Sequence, residues 1–118
     1  MHKDGKQSTV DYISMEYVEG RSLEEYLYQA RKYKIPFEEH TCREYFRQLL
    51  MALHHMHSTG VCHRDLKPDN IIISPDGKLK IIDLGFAMDI LGNNKDGYLH
   101  TYLGTPGYMA PEILTMNY

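Results

Sequence analysis

The strongest constraint on the fold of this chain is an apolar stripe that runs through residues 41–59. Its apolar side chains recur every three or four residues, at Tyr45, Phe46, Leu49, Leu50, Leu53 and Met56. That spacing places them on one face of an α-helix, which must pack against another layer. Thr41 and Glu44 have the spacing of a capping box, and Gly60 supplies a left-handed stop. The stripe therefore predicts a helix over residues 41–59.

The segment before this helix predicts a strand and a shorter helix. Residues 1–9 are polar and indicate a loop, whereas residues 10–18 are rich in β-branched and aromatic side chains that favour a strand. Ser22 and Glu25 then form a second capping-box pattern, followed by apolar residues at helical spacing. This pattern predicts an amphipathic helix over about residues 22–32.

The segment after the long helix predicts a short β-hairpin. Two short strands are predicted at residues 71–74 and 78–82, and they flank Pro75, Asp76 and Gly77. Proline fixes one backbone dihedral and glycine accepts a positive one, so this tripeptide predicts a turn. Residues 89–103 are rich in turn-forming residues, and we expect them to form a mobile loop. The whole pattern is typical of an α+β fold.

Composition excludes several classes of function. The 118 residues contain 13 Lys+Arg against 16 Asp+Glu, so no basic surplus indicates a nucleic-acid or membrane partner. The longest apolar runs, such as residues 49–53, are too short to cross a bilayer, and the polar N-terminal stretch has no signal-peptide core. Cys42 and Cys62 provide no disulfide framework. We therefore expect a cytoplasmic location, with the nucleus as the alternative.

Residues that carry chemistry concentrate after the long helix. Residues 63–70 read HRDLKPDN, residues 83–85 read DLG, and residues 104–112 read GTPGYMAPE. In this order the three motifs resemble the catalytic loop, the DFG motif and the APE motif of the eukaryotic protein kinases. The resemblance runs from about residue 10 to the C terminus. It implies a partial protein-kinase-like fold, which is a mainly helical C-lobe portion with a short β-hairpin.

The resemblance implies a catalytic role for five side chains. Asp65 would orient the substrate hydroxyl and accept its proton, and Lys67 would stabilise the moving phosphoryl group. A lysine at this place is the serine/threonine-kinase pattern. Asn70 and Asp83 would each hold a Mg²⁺ ion through oxygen atoms. Thr105 would hydrogen-bond Asp65 and Lys67, so the implied cofactors are ATP and Mg²⁺ and the implied substrate is a protein.

The start of the chain resembles the hinge between the two lobes of a kinase and implies an adenine site. Met15 falls at the gatekeeper position. The backbone carbonyl of Glu16 and the backbone groups of Val18 would meet the edge of the adenine ring. Ile72, on the predicted hairpin, would pack beneath that ring.

The resemblance also implies regulation by phosphorylation. Arg64 lies beside the catalytic aspartate, and Thr101 lies four residues before Thr105. A phosphate on Thr101 would pair with the guanidinium of Arg64 and order residues 86–104. An upstream activating kinase is therefore an expected partner.

We expect residues 1–118 to form a partial kinase domain. Residues 10–20 would be the last N-lobe strand and the hinge, and residues 21–118 an incomplete C-lobe. No glycine-rich loop precedes residue 10, so we expect a fragment lacking the N-lobe, with little catalysis on its own. A second interpretation is a catalytically inactive, kinase-derived binding module. A third, a small-molecule phosphotransferase with a related loop, is disfavoured by the HRDLKPDN motif together with DLG and GTPGYMAPE.

Overall fold

The computed structural model describes residues 11–90 and 102–115 of the chain. Two longer helices, one short helix and five short strands follow one another along these residues. In chain order they are β1 (Arg21–Ser22), α1 (Leu23–Tyr33), α2 (Glu39–Ser58), β2 (Val61–Cys62), a 3₁₀ turn (Pro68–Asn70), β3 (Ile71–Ile73), β4 (Leu79–Ile81), β5 (Met88–Asp89) and α3 (Pro111–Leu114). The architecture is α+β, as the sequence predicts.

Helix α1 begins with the capping box that the sequence predicts. The Glu25 N–H donates to Ser22 Oγ at 3.2 Å, and the Ser22 N–H donates to Glu25 Oε2 at 3.1 Å. These two bonds satisfy donors that have no partner within the helix. The helix ends at Lys34, which adopts a left-handed conformation with φ of 55°. The predicted helix over residues 22–32 is therefore confirmed to within one residue.

Helix α2 confirms the long helix, but its predicted capping box is wrong. The chain becomes helical at Glu39, so Thr41 lies inside the first turn and lacks the extended backbone of an N-cap. Glu44 instead accepts hydrogen bonds from Arg47. At the other end Gly60 has φ of 80° and closes the helix, as predicted.

The predicted strand over residues 10–18 is wrong in its described part, because residues 11–18 carry no regular structure. A strand requires a neighbour whose backbone groups it can pair with. Among the described residues, the larger sheet has the order β1–β3–β4, and residues 11–18 pair with neither of its outer strands. The β-branched and aromatic composition that suggested a strand is left largely exposed, as at Tyr12 and Ile13.

The predicted hairpin is confirmed, with each strand slightly shorter than expected. Strand β3 pairs antiparallel with β4, so that Ile71 lies opposite Ile81 and Ile73 opposite Leu79. Gly77 has φ of 78° in the turn. Ile71 and Ile73 are 3% and 2% exposed and form the core beneath α1, while α2 contacts the neighbouring strand β4. Burial of these two side chains fixes strand β3, which begins directly after the 3₁₀ turn.

One polar side chain of α2 joins the helix to the hairpin. Gln48 Oε1 accepts from the N–H of Leu79 at 2.9 Å, and Gln48 Nε2 donates to the carbonyl of Gly77 at 3.2 Å. The amide thus satisfies one donor and one acceptor at the end of the hairpin. The apolar stripe alone gives no sign of this contact.

A second small sheet holds the chain on both sides of the motif-bearing loop. Strand β2 pairs antiparallel with β5, and the Ile90 N–H donates to the carbonyl of Gly60 at 2.7 Å. The predicted mobile loop is therefore wrong at its first residue, because Asp89 lies in β5. Residues 91–101 lie outside the described residues, as do residues 1–10.

No helix within residues 11–90 and 102–115 has both the length and the apolar character needed to cross a membrane.

We predict that Gly20→Ala destabilises the protein much more than Gly77→Ala. Both glycines have positive φ. A Cβ at Gly20 would lie 2.3 Å from the carbonyl oxygen of Ile73, whereas a Cβ at Gly77 would meet no heavy atom of the described residues within 4 Å. At Gly20 this clash adds to the strain of a positive φ. We therefore expect the free energy of unfolding to fall by about 2–4 kcal/mol in Gly20→Ala and by about 1 kcal/mol in Gly77→Ala. Urea denaturation of the complete protein measures the stability of both variants. Equal losses of stability would contradict the close approach of Gly20 to Ile73 of β3.

Candidate active site

The buried carboxylate of Asp65 forms the centre of the site. Asp65 is 9% exposed, and each of its carboxylate oxygens has a partner. Thr105 Oγ1 donates to Oδ1 at 2.6 Å, and Lys67 Nζ lies 3.4 Å from Oδ2. The Asn70 amide donates to the Asp65 carbonyl at 2.9 Å and lies 3.4 Å from Oδ2. The structure thus brings four of the predicted catalytic residues together.

The Thr105 hydroxyl joins Lys67 to Asp65. Lys67 Nζ donates to Thr105 Oγ1 at 2.7 Å, while the same hydroxyl donates its proton to the Asp65 carboxylate. A hydroxyl that accepts from a cation donates more strongly to an anion, so the two bonds reinforce each other. They connect side chains that lie about 40 positions apart in the sequence.

These contacts change the ionisation of Asp65. The Thr105 hydrogen bond is the largest influence and lowers the pKa of the carboxyl below its ordinary value. Burial acts in the opposite direction, and Lys67 and Asn70 contribute smaller effects that also lower it. Asp65 therefore stays ionised to a lower pH than an isolated aspartate would.

His63 connects the loop of Asp65 to the end of β4. The imidazole is 2% exposed, and its Nδ1 accepts from the Asp65 N–H at 3.2 Å. Its Nε2 lies 3.0 Å from the carbonyl of Ile82, so in the neutral ring Nε2 carries the proton and donates it. His63 thus fixes the backbone of its own loop to the end of β4.

A backbone hydrogen bond between Ile82 and Asn70 brings Asn70 close to Asp83. The Ile82 N–H donates to the Asn70 carbonyl at 2.9 Å, and Asp83 follows directly. The amide nitrogen of Asn70 is used by Asp65, which leaves its Oδ1 as a ligand atom, while Asp83 is exposed. Asp83 has φ of 60°, a left-handed conformation that is costly outside glycine and recurs at functional sites.

The donor atoms of Asn70 and Asp83 fit Mg²⁺. The ion prefers hard oxygen ligands and keeps several waters or phosphate oxygens, so one amide oxygen and one carboxylate are sufficient protein ligands. No cluster of three His, Cys, Asp or Glu side chains that could hold a metal occurs in the part of the chain that the structure describes. A cation here would therefore rely on phosphate or water for its remaining ligands.

The predicted adenine residues are only partly brought together. Ile72 is half-buried on β3, and Val18 is half-buried in the segment that leads to β1. The Glu16 side chain forms an ion pair with Lys80 on β4. Met15 is 77% exposed, and the described residues provide no contact that joins it to Asp65.

The predicted regulatory arginine lies in a strained and partly unsatisfied position. Arg64 has φ of 66°, and its Nε donates to the carbonyl of Phe86 at 2.6 Å. Its Nη1 is buried and has no hydrogen-bond partner among the described residues. Sequence reasoning missed the contact with Phe86, and it missed that a Cβ at Gly104 would lie 3.2 Å from the Arg64 carbonyl. Thr101 lies outside the described residues.

Comparisons with known proteins agree with this geometry. A family model described as the protein kinase domain matches residues 4–118. The chain is 40% identical over 114 residues to CBL-interacting serine/threonine-protein kinase 20 of Arabidopsis thaliana, covering 97% of the chain and 25% of that protein. It is 45% identical over 103 residues to CBL-interacting protein kinase 12 of Oryza sativa subsp. japonica, covering 87% of the chain and 18% of that protein. The chain thus spans about a quarter or less of these relatives.

We predict that Thr105→Val raises the pKa of Asp65, because it removes the hydrogen bond that lowers this pKa most. A depressed pKa in the folded protein contributes stability that is present above the unfolded pKa and is lost as pH falls through the folded value. The stability advantage of the wild type over Thr105→Val should therefore shrink as pH falls below about 4.

Urea midpoints of the complete protein between pH 7 and pH 3, with carboxyl-carbon NMR of Asp65, measure this effect. Thr105→Ser keeps the hydroxyl and is the matched control. An Asp65 pKa that is the same in the valine variant and the wild type would contradict the assignment of the cause to Thr105.

Proposed function

The chain belongs to the protein kinase domain family, and we propose that it forms the catalytic-loop portion of a protein serine/threonine kinase. The proposed reaction transfers a phosphoryl group from ATP to a serine or threonine hydroxyl of a protein. The observation that carries the proposal is the group of Lys67, Thr105 and Asp65, joined by bonds of 2.7 and 2.6 Å. Phosphoryl transfer requires positioning and charge compensation, and this group offers both.

Each member of the group has a distinct part in the proposed reaction. The Asp65 carboxylate is ionised and held rigidly, so it can accept a hydrogen bond from the substrate hydroxyl and orient that oxygen. The ammonium of Lys67 lies 3.4 Å from Asp65 Oδ2, so a cation would lie beside the phosphoryl group during transfer and could stabilise the charge on its oxygens. Thr105 holds both side chains at this separation.

ATP and Mg²⁺ are the proposed cofactors. Asn70 and Asp83 would hold Mg²⁺, which neutralises phosphate charge when it is bound. The backbone groups of Glu16 and Val18 would meet the edge of adenine, Ile72 would support its face, and Met15 would be the gatekeeper. The half-buried position of Ile72 on the strand that follows Asn70 supports this arrangement.

Partners and location are proposed for the complete protein. The substrate is a protein, and an upstream kinase is proposed as an activator. Because both relatives are named as CBL-interacting kinases, we also propose a CBL protein as a partner. Both described cysteines are free, which supports a cytoplasmic location, with the nucleus as the alternative. A fluorescent fusion of the complete protein tests the location.

A binding module without catalysis is the second candidate function. Helix α2 exposes Phe46, Leu50 and Met51 by half or more of their surfaces among the described residues. An apolar surface of this kind is typical of a partner interface. The measurement of transfer in the complete protein separates the two functions.

We predict that Asp65→Asn lowers kcat of the complete protein by about 10²–10⁴, the range for loss of a general base. The amide keeps the shape of the side chain but removes the charge that orients the substrate hydroxyl. Transfer of labelled phosphate from ATP to a serine-containing protein substrate measures the effect. Asp69→Asn is the matched control, because Asp69 lies exposed in the same loop. Absence of transfer in the wild type, with retained binding of a protein partner, would favour the binding module.

We predict that phosphorylation of Thr101 raises kcat about tenfold or more, whereas Thr101→Ala stays at the low level. The buried Nη1 of Arg64 supports this prediction, since a phosphate would supply its missing partner through a charge-assisted hydrogen bond. Arg64→Lys keeps the charge without the forked geometry and should reduce the effect. Equal activity of the phosphorylated protein and Thr101→Ala would refute the regulatory role.

A further inference from the structure

The segment formed by residues 11–19 is weakly held, although the proposed function requires its backbone in a defined place. It carries no regular secondary structure, and Tyr17 is 87% exposed. Among the residues that the structure describes, one side-chain bond joins this segment to the rest of the chain, from Lys80 Nζ to Glu16 Oε1. Within the described residues, Lys80 therefore supplies the side-chain hydrogen bond that links this segment to the hairpin.

Lys80 is placed on the face of the hairpin that also carries Ile72. In the antiparallel register Ile72 lies directly opposite Lys80. Directly opposed residues project to the same face of a sheet, where their side chains are neighbours. The side chain proposed to support the adenine ring and the cation that contacts Glu16 are thus fixed relative to each other by one pair of strands.

Around this ion pair, the segment faces the hairpin across a cleft. A cleft of about 450 Å³ separates residues 16–19 from the turn of the hairpin, and its lining includes Val18, Asp76 and Lys80. Lys78, the other lysine of the cleft, pairs with Asp76 at 3.0 Å within the hairpin itself. Of the two lysines, Lys80 alone reaches across the cleft to the segment.

We infer that Lys80 is a positioning residue for the nucleotide. Through Glu16 it holds the backbone groups of Glu16 and Val18 at a fixed distance from Ile72, and so sets the affinity for ATP. It does not touch the reacting atoms. The inference rests on the proposed function, because it assigns Lys80 a role in the adenine site of that function.

The first experiment measures steady-state kinetics of the complete protein. We expect Lys80→Met to raise KM for ATP about two- to fivefold, the range for an exposed ion pair, and to leave kcat at saturating ATP unchanged. Lys78→Met removes a neighbouring lysine from the same hairpin and should change neither parameter. The exchanged pair Glu16→Lys with Lys80→Glu should restore KM towards the wild-type value, which loss of structure would not do.

The second experiment measures hydrogen exchange of the backbone amides of residues 14–19 without nucleotide. Faster exchange in Lys80→Met, but not in Lys78→Met, supports the positioning role. Unchanged KM and exchange in Lys80→Met overturn it and leave the proposed function intact. A rise in kcat without a change in KM also overturns it, because the pair would then restrain the enzyme. A wild type that neither binds nor uses ATP refutes the proposed function, and the role of Lys80 with it.

Discussion

The compensation of one buried charge determines how the described part of the chain is arranged. A carboxylate removed from water is stable only when hydrogen bonds and opposite charge replace its hydration. Asp65 obtains its partners from Lys67 and Asn70 in its own loop and from Thr105, about 40 residues further on. The loop of residues 63–70 and the segment around residue 105 are therefore held against each other by the needs of a single anion.

Local signals in the sequence predict the helices and the hairpin because their determinants lie within a few residues. The capping box of Ser22 and Glu25 forms as expected, and so does the turn at Gly77. The capping box at Thr41 does not form, because helix α2 already begins at Glu39 and Thr41 lies inside its first turn. The strand over residues 11–18 fails for a different reason: pairing is a property of the whole sheet, and the composition of one segment does not reveal which edges are free.

The same distinction applies to the site. The resemblance of the motifs to those of the protein kinases implies that Asp65, Lys67, Asn70 and Thr105 belong together, and the geometry brings them within hydrogen-bond distance. The contacts that join the loop of Asp65 to the backbone after β4 are not visible in the sequence. His63 reaches the carbonyl of Ile82 and Arg64 reaches that of Phe86, and backbone acceptors carry no residue-type signature. Such contacts become predictable only when the path of the chain is known.

The left-handed conformations of Arg64 and Asp83 set stability against function in this chain. Glycine would adopt φ of 66° or 60° without strain, so a search for stabilising substitutions would favour it at both places. Each change would remove a side chain that the proposed function uses, the guanidinium for regulation in one case and the carboxylate for Mg²⁺ binding in the other. Lys34, at φ of 55° at the end of α1, has the same backbone conformation without such a role. Directed evolution for thermal tolerance should therefore accept glycine at position 34 and, under selection for activity, retain the strained residues at positions 64 and 83.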